Sequence, residues 1–394
     1  MVWRLKIKIN GSETNLCLNY PIKFLAMKNI VFVWVICSFF SLSAQNNLDS
    51  ILPIRGLSLS APKPENVDRF VNFIRNELVP RKVNTLLVLI DYRYQFDKRP
   101  ELRAEGALSK ADIKKIVSVC RTGGIRLIPQ INMLGHQSWF QQIGMLLKAY
   151  PQFNETPWVP MESGSGQLKW PNEWGLYCLS YCPLHPHVHQ VVFDAIDEIV
   201  EVFEADAFHA GMDEVFYLGE EKCPRCAGLD HAELFAGEVT KLHQHLAKSG
   251  KELWIWGDRL LDGRATGIGL WEASYNNTAR AIDLIPKEVV INDWHYERAD
   301  PTAVLFAMKG FRVVTCPWRF PEVTKKQLEM MVDFRKNATK AVKDNYQGML
   351  HTTWVSAEDF IDQFYGLKTV NTGRGGNYVE AFKALYDEIN KLDK

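Results

Sequence analysis

The chain predicts an α/β protein built as a single (β/α)8 TIM barrel, and two observations carry that prediction. Short apolar runs rich in Val, Ile and Leu alternate with longer amphipathic stretches along nearly the whole sequence. Eight such runs fit into the chain after residue 45, enough for a closed ring of parallel strands each followed by a helix. A third observation weighs against the competing open, doubly wound sheet, because no Gly-rich phosphate turn follows the first run.

The predicted strands are 55–59, 85–90, 126–131, 207–210, 252–256, 289–293, 312–315 and 349–353. Between them, Pro64-Glu65 opens a helix over 64–78, since proline is preorganised for a first turn. Ser109-Lys110-Ala111-Asp112 is a variant capping box ahead of a helix over 113–120. Further helical patterns cover 187–203, 232–248, 303–309 and 321–342, and an irregular aromatic insertion at 150–182 separates strands three and four. Internal repeats, low-complexity tracts and Pro/Ser linkers are missing from the sequence, so one domain is expected over 45–394, after a leader at 1–44.

Composition narrows the function. Lys plus Arg equals Asp plus Glu at 46 each, so the chain lacks the basic excess that grips phosphate backbones. Nucleic acid is thereby excluded as the expected partner. Twelve Trp, 13 Tyr and 21 Phe supply enough aromatic surface both for a core and for the flat walls of a site. From Met27 the chain reads as an export signal: a basic start, an apolar stretch over 30–42, then Ser43-Ala44 before a cut. That stretch is short of the roughly 20 residues of an unaided bilayer span. The mature protein is therefore expected outside the cytoplasm, with no stable membrane span.

Of eight cysteines, Cys17 and Cys37 fall in or before the signal. Cys223-Pro-Arg-Cys226 has no thioredoxin-like surroundings. Together with Cys178 and Cys182 it is expected to form either a structural four-thiolate zinc site or bracing disulfides.

Barrel enzymes carry their chemistry where strands run out into the following loops. Here those ends read Asp91-Tyr92-Arg93, Gly135-His136, His209-Ala210-Gly211-Met212-Asp213-Glu214, Trp256-Gly257-Asp258, Asp293-Trp294-His295-Tyr296, Cys316-Pro317-Trp318-Arg319 and Trp354. Carboxylates, imidazoles and indoles recur, a rim suited to a polar ligand with flat apolar faces, such as a pyranose. Asp213 and Glu214 are neighbours, so on an ideal strand they point to opposite sides. Only a break in the strand turns both to one ligand, and Gly211 supplies the freedom for it.

At these residues the chain resembles glycoside hydrolase family 20, the β-N-acetylhexosaminidases. The run 208–215, Phe-His-Ala-Gly-Met-Asp-Glu-Val, is similar to that family's His-x-Gly-Gly-Asp-Glu signature. Its continuation to Gly219 resembles the hexosaminidase D branch, which lacks the N-terminal accessory domain of many relatives. Leu134-Gly-His-Gln137 resembles the Gly-His element, and Ile54-Arg-Gly56 the first-strand arginine motif. Two departures stand out: Met212 replaces the second glycine, and Val355-Ser356 follows Trp354 where Trp-x-Glu is the family pattern.

The resemblance implies an exo-acting retaining enzyme that removes terminal GlcNAc or GalNAc from glycans by substrate assistance, an exception to the usual two-carboxylate scheme. It implies Glu214 as general acid and base, and Asp213 as the group holding the substrate acetamido N–H. Arg55, His136, His209, Trp256, Asp258, Trp294, Tyr296, Trp318 and Trp354 are the expected substrate-binding residues. Neither cofactor nor catalytic metal is expected. Two other readings stay open from the residues alone. One is a barrel glycosidase acting on a different sugar through two separated carboxylates, Asp213 or Glu214 with Asp258 or Glu272. The other is a glycan-binding barrel without turnover.

Overall fold

A computed structural model of the chain describes residues 6–9, 12–15, 47–139, 142–159, 178–370, 372–373 and 375–393. The export signal expected at 27–44 and the centre of the aromatic insertion lie outside the described residues. The chain divides into two units, Met1–Asn46 and Asn47–Lys394. In the first, Lys6–Ile9 and Ser12–Asn15 pair as an antiparallel hairpin.

The second unit is a closed barrel of eight parallel strands. In chain order they are β1 (Ile54–Ser60), β2 (Thr85–Leu89), β3 (Arg126–Met133), β4 (Ala207–Gly211), β5 (Glu252–Trp256), β6 (Val290–Trp294), β7 (Arg312–Cys316) and β8 (Tyr346–His351). Each strand pairs with the next, and β8 closes on β1 through Met349 opposite Arg55. The closure is tight. Gly348 has φ +140°, and a Cβ there would sit 2.1 Å from the Ile54 carbonyl oxygen, so only glycine fits.

The helices follow as α1 (Val67–Phe73), α2 (Lys110–Thr122), α3 (Val188–Val202), α4 (His231–Ala247), α5 (Thr302–Met308), α6 (Pro321–Asn337), α7 (Ala357–Phe364) and α8 (Tyr378–Leu392). The capping box expected before α2 is present, with Ser109 and Asp112 bonding each other's backbone N–H. The connection from β5 to β6 has only short helical turns, Asp258–Leu260, Gly263–Thr266 and Ala279–Asp283.

Two cores result. One fills the space between barrel and helices. The other lies inside the barrel, where Ile54, Leu87, Ile128, Trp254, Val290, Val314 and Leu350 pack together. Residues two apart on a strand share a face. Trp254 therefore puts Trp256 above it in the interior, and Val290 does the same for Trp294. The inner core thus becomes more aromatic toward the carboxyl ends of the strands.

Candidate active site

Among the described residues, five of the eight non-glycine positions at positive φ lie just beyond the carboxyl ends of β2, β3 and β4. Gly211 turns into the left-handed region at φ +66°, and Met212 and Glu214 follow at +70° and +50°. Leu134 and His136 after β3, and Asp91 after β2, are also at positive φ. Non-glycine residues rarely adopt this conformation, and where they cluster a site is commonly being shaped. The strand break does what the neighbouring carboxylates require. His136 Nε2 lies 3.1 Å from Asp213 Oδ2 and 3.2 Å from Glu214 Oε2, so both acids face one imidazole nitrogen. A Cβ on Gly135 would come within 2.7 Å of the Asp213 carbonyl oxygen, so the two loops can approach this closely only with glycine there.

Around this trio the contacts are specific. The Cys178 thiol donates to Glu214 Oε2 at 3.4 Å. The backbone N–H of Glu214 donates to Asp258 Oδ2 at 2.9 Å. Asp258 is itself held by Arg259 Nε at 2.7 Å and by the Trp294 indole N–H at 3.3 Å. Asp213 Oδ1 is buried and has no hydrogen-bond partner among the described residues. Burial opposes charge on His136, and the negative charge of Asp213 and Cys178 outweighs it, holding the imidazole well above its ordinary value. Burial in turn pushes the Cys178 thiol up, toward its neutral form.

His209, two residues before Gly211, is fully buried on β4 with its ring 4.6 Å from Trp256. Its Nδ1 accepts the backbone N–H of Gly211 at 3.0 Å, and burial drives the ring down to about 3, so it stays neutral. This neutral ring fixes the turn on which the carboxylates sit. Aromatic side chains from the later strand ends pack against one another beside this site. Trp256 and Trp354 are 5.7 Å apart, Trp294 and Tyr296 4.9 Å, and Tyr296 and Trp318 5.2 Å, ring to ring. The Trp354 indole N–H donates to the Tyr296 hydroxyl at 2.9 Å. Trp354 is 37% exposed, and Trp139, stacked on His136, is 49% exposed, so the mouth has aromatic surface on two sides. An acid pair, a charged imidazole and an aromatic wall suit acid–base chemistry on a ring-shaped polar ligand.

The model of the glycosyl hydrolase family 20 catalytic domain matches residues 84–363, which include all eight strands but β1. The chain belongs to glycosyl hydrolase family 20. Similar curated proteins include a Beta-hexosaminidase of Akkermansia muciniphila, 29% identical over 39% of this chain and 30% of that protein. Another is Hexosaminidase D of Homo sapiens, 24% identical over 68% of this chain and 53% of that protein. The chain thus spans about half or less of the length of these relatives. Among solved structures, a chitobiase of Flavobacterium johnsoniae is similar in fold with a TM-score of 0.57 at 18% identity. That likeness covers 86% of this chain and 52% of that one.

Set on this family 20 barrel, the residues singled out from sequence fall into two groups. Asp213, Glu214, His136, His209, Trp256, Asp258, Trp294, Tyr296, Trp318 and Trp354 gather at the carboxyl ends of the strands. Arg55 does not. It is the second residue of β1, and its guanidinium binds Asp49 Oδ1, the Leu52 carbonyl and the Lys82 carbonyl, all at the opposite end of the barrel. The expected four-cysteine grouping is also corrected. Cys178 leaves it to touch Glu214 and His136, while Cys182, Cys223 and Cys226 gather elsewhere around Glu155. All six cysteines of this unit are free thiols in the structure.

Arg259 is a residue that strand-end reading passed over. Fully buried, it pairs with Asp258 and also donates to the carbonyls of Leu270, Trp271 and Ala273. Its only sequence signal is adjacency to Asp258. Glu272, a partner carboxylate in the rival two-carboxylate reading, accepts from His295 Nδ1 at 2.7 Å, and the other nitrogen of that ring lies 3.3 Å from Asp293.

Proposed function

We propose that this family 20 chain is an exo-acting retaining β-N-acetylhexosaminidase that removes terminal GlcNAc or GalNAc by substrate-assisted catalysis. The observation that carries the reading is the convergence of Asp213 and Glu214 on His136, with Asp213 Oδ1 buried and unpaired. A buried carboxylate oxygen in that state is costly unless a ligand donor reaches it. The acetamido N–H of the substrate is such a donor. Asp213 then holds and polarises the acetamido group while its carbonyl oxygen attacks the anomeric carbon. Glu214 gives its proton to the glycosidic oxygen, so the aglycone leaves as an alcohol and an oxazolinium ion forms. Glu214 next takes a proton from water, which opens that ring on the original face and restores the β configuration.

The aromatic wall of Trp256, Trp294, Tyr296, Trp318 and Trp354 supports this by offering apolar surface to the acetamido methyl and the sugar face. Asp258 supports it too. Its carboxylate is taken up by Arg259, Trp294 and the N–H of Glu214, which suits holding the loop rather than serving as a separate nucleophile. The same reading takes the protein to be exported after cleavage behind Ala44, supported by the basic, apolar and small-residue order of 27–44. Among the described residues no helix is long and apolar enough to cross a membrane.

The test is hydrolysis of an aryl N-acetyl-β-glucosaminide. Glu214→Gln is expected to lose about 100- to 10,000-fold in kcat, as for removal of a general acid. Asp213→Asn should slow turnover without changing the retained stereochemistry. Equal rates for wild type and Glu214→Gln would overturn the assignment.

A further inference from the structure

Outside the active site, four donor atoms meet in a buried knot. Cys182, Cys223 and Cys226 Sγ and a carboxylate oxygen of Glu155 all lie within 4.8 Å of one another. Cys182 and Cys226 are 3.4 Å apart, Cys182 and Cys223 3.8 Å, and Cys223 Sγ is 3.2 Å from Glu155 Oε2. A disulfide needs about 2.05 Å between sulfurs. Around zinc, with metal–sulfur bonds of about 2.3 Å and metal–oxygen bonds of about 2.0–2.2 Å, tetrahedral edges come to about 3.8 Å between sulfurs and about 3.5 Å between sulfur and oxygen. The Cys182–Cys223 edge equals the tetrahedral value, and the other two fall about 0.3–0.4 Å inside it, all far from disulfide bonding distance.

The knot is held ready by backbone. Asn154 and Tyr181 form an antiparallel bridge, and Cys182 N–H bonds the Phe153 carbonyl while Glu155 N–H bonds that of Ser180. Glu155 and Cys182 are thereby set side by side. The Cys-x-x-Cys turn is closed by Cys223 N–H on the Glu220 carbonyl and Ala227 N–H on that of Cys223. Glu155 Oε1 accepts the N–H groups of Gly219 and Glu220, which leaves Oε2 aimed at the sulfurs. Glu155, Cys182 and Cys226 are fully buried and Cys223 nearly so. The hydrogen-bond partners of Glu155 among the described residues include no cation, and its Oε2 faces the sulfurs.

We propose that Glu155, Cys182, Cys223 and Cys226 bind a structural zinc ion. The metal joins the β3–α3 connection, which contributes Glu155 and Cys182, to the β4–α4 connection, which contributes Cys223 and Cys226. Both connections lead to the acid pair. Cys178, four residues before Cys182, touches Glu214, and Cys223 follows Glu214 on the same loop. With all four positions taken by protein, the ion is closed to substrate and stabilises the two loops.

Metal content and thiol state of the purified full-length protein test this. Wild type is expected to hold one zinc per chain, with the three knot thiols shielded from a thiol reagent until a chelator strips the ion. Cobalt(II) added to the stripped protein should give the intense visible bands of a tetrahedral thiolate site. Glu155→Gln and Cys223→Ser should retain at least about tenfold less zinc through dialysis, while Cys120→Ser, a buried cysteine on α2 outside the knot, keeps it. Should the serine variant fail to fold, the wild-type measurements decide alone. Metal-free protein, whether with freely reacting thiols or with a chain lighter by two hydrogens and a Cys182–Cys226 disulfide in its peptides, overturns the proposal.

Discussion

His295 shows how single side chains here are set by their neighbours. Burial opposes its charge, but Asp293 and Glu272 on either side raise the ring to about 10. The folded protein therefore holds this proton more tightly than the unfolded chain, whose histidine titrates near 6.5. Its contribution to stability is complete below about pH 6.5, and it is lost as pH rises toward about 10. A His295→Gln variant should melt well below wild type in mild acid, and the gap should close in alkali. A gap that widens with pH would show that the imidazole is neutral. At this scale the sequence was readable where position decided the role. Asp213, Glu214 and His136 follow strand ends directly. Arg55 misled because a long side chain near the start of a strand can turn back to the barrel's other end, as its bonds to Asp49 and Lys82 show. Cys178 was grouped with Cys182 by spacing, although its partners Glu214 and His136 are 36 and 42 residues away and no local pattern joins them.

The element on which the account turns is the break at the end of β4. Gly211 is at φ +66°, and a Cβ there would meet Asn132 Oδ1 at 2.5 Å. Gly211→Ala adds left-handed strain of about 1–2 kcal/mol and pushes on β3 as well. Activity should fall by more than Tm, because the substitution displaces the acid pair before it unfolds the barrel. A variant with lower Tm and unchanged kcat would separate this turn from the site. The strands themselves were legible as apolar runs, since both faces of a barrel strand are buried. β8 begins three residues before the expected 349, at Tyr346-Gln347-Gly348, because its entry is polar and glycine-containing. Both closing helices, α7 and α8, were missed; each is amphipathic, and each is capped by a side chain, Ser356 and Asn377 respectively.

Across the whole molecule, charges tie the amino-terminal end of the barrel together beneath the carboxyl-terminal site. Glu252 on β5 takes Arg126 of β3 on one oxygen and Arg312 of β7 on the other, each at 2.6 Å. Burial raises its carboxyl, and the two guanidinium groups more than reverse this, bringing it down to about 2 from 4.5. A depressed carboxylate stabilises fully above its unfolded value and loses that contribution as pH falls toward 2. Glu252→Gln should therefore lower Tm at neutral pH and differ little from wild type near pH 2. A constant difference across that range would remove the ion pairs from the explanation. Such cross-barrel ties were invisible in sequence, because Arg126, Glu252 and Arg312 become neighbours only when the ring closes.

Closure also gathers the acid pair, the imidazole and the aromatic wall at one mouth, and the central claim is what that mouth does. The most direct measurement compares the wild-type protein on an aryl N-acetyl-β-glucosaminide and on the matching plain β-glucoside, with the anomer of the released sugar followed by NMR. Cleavage of the acetamido sugar with retained configuration and no turnover of the plain glucoside is the expected result. Comparable cleavage of both, or an inverted product, would contradict it.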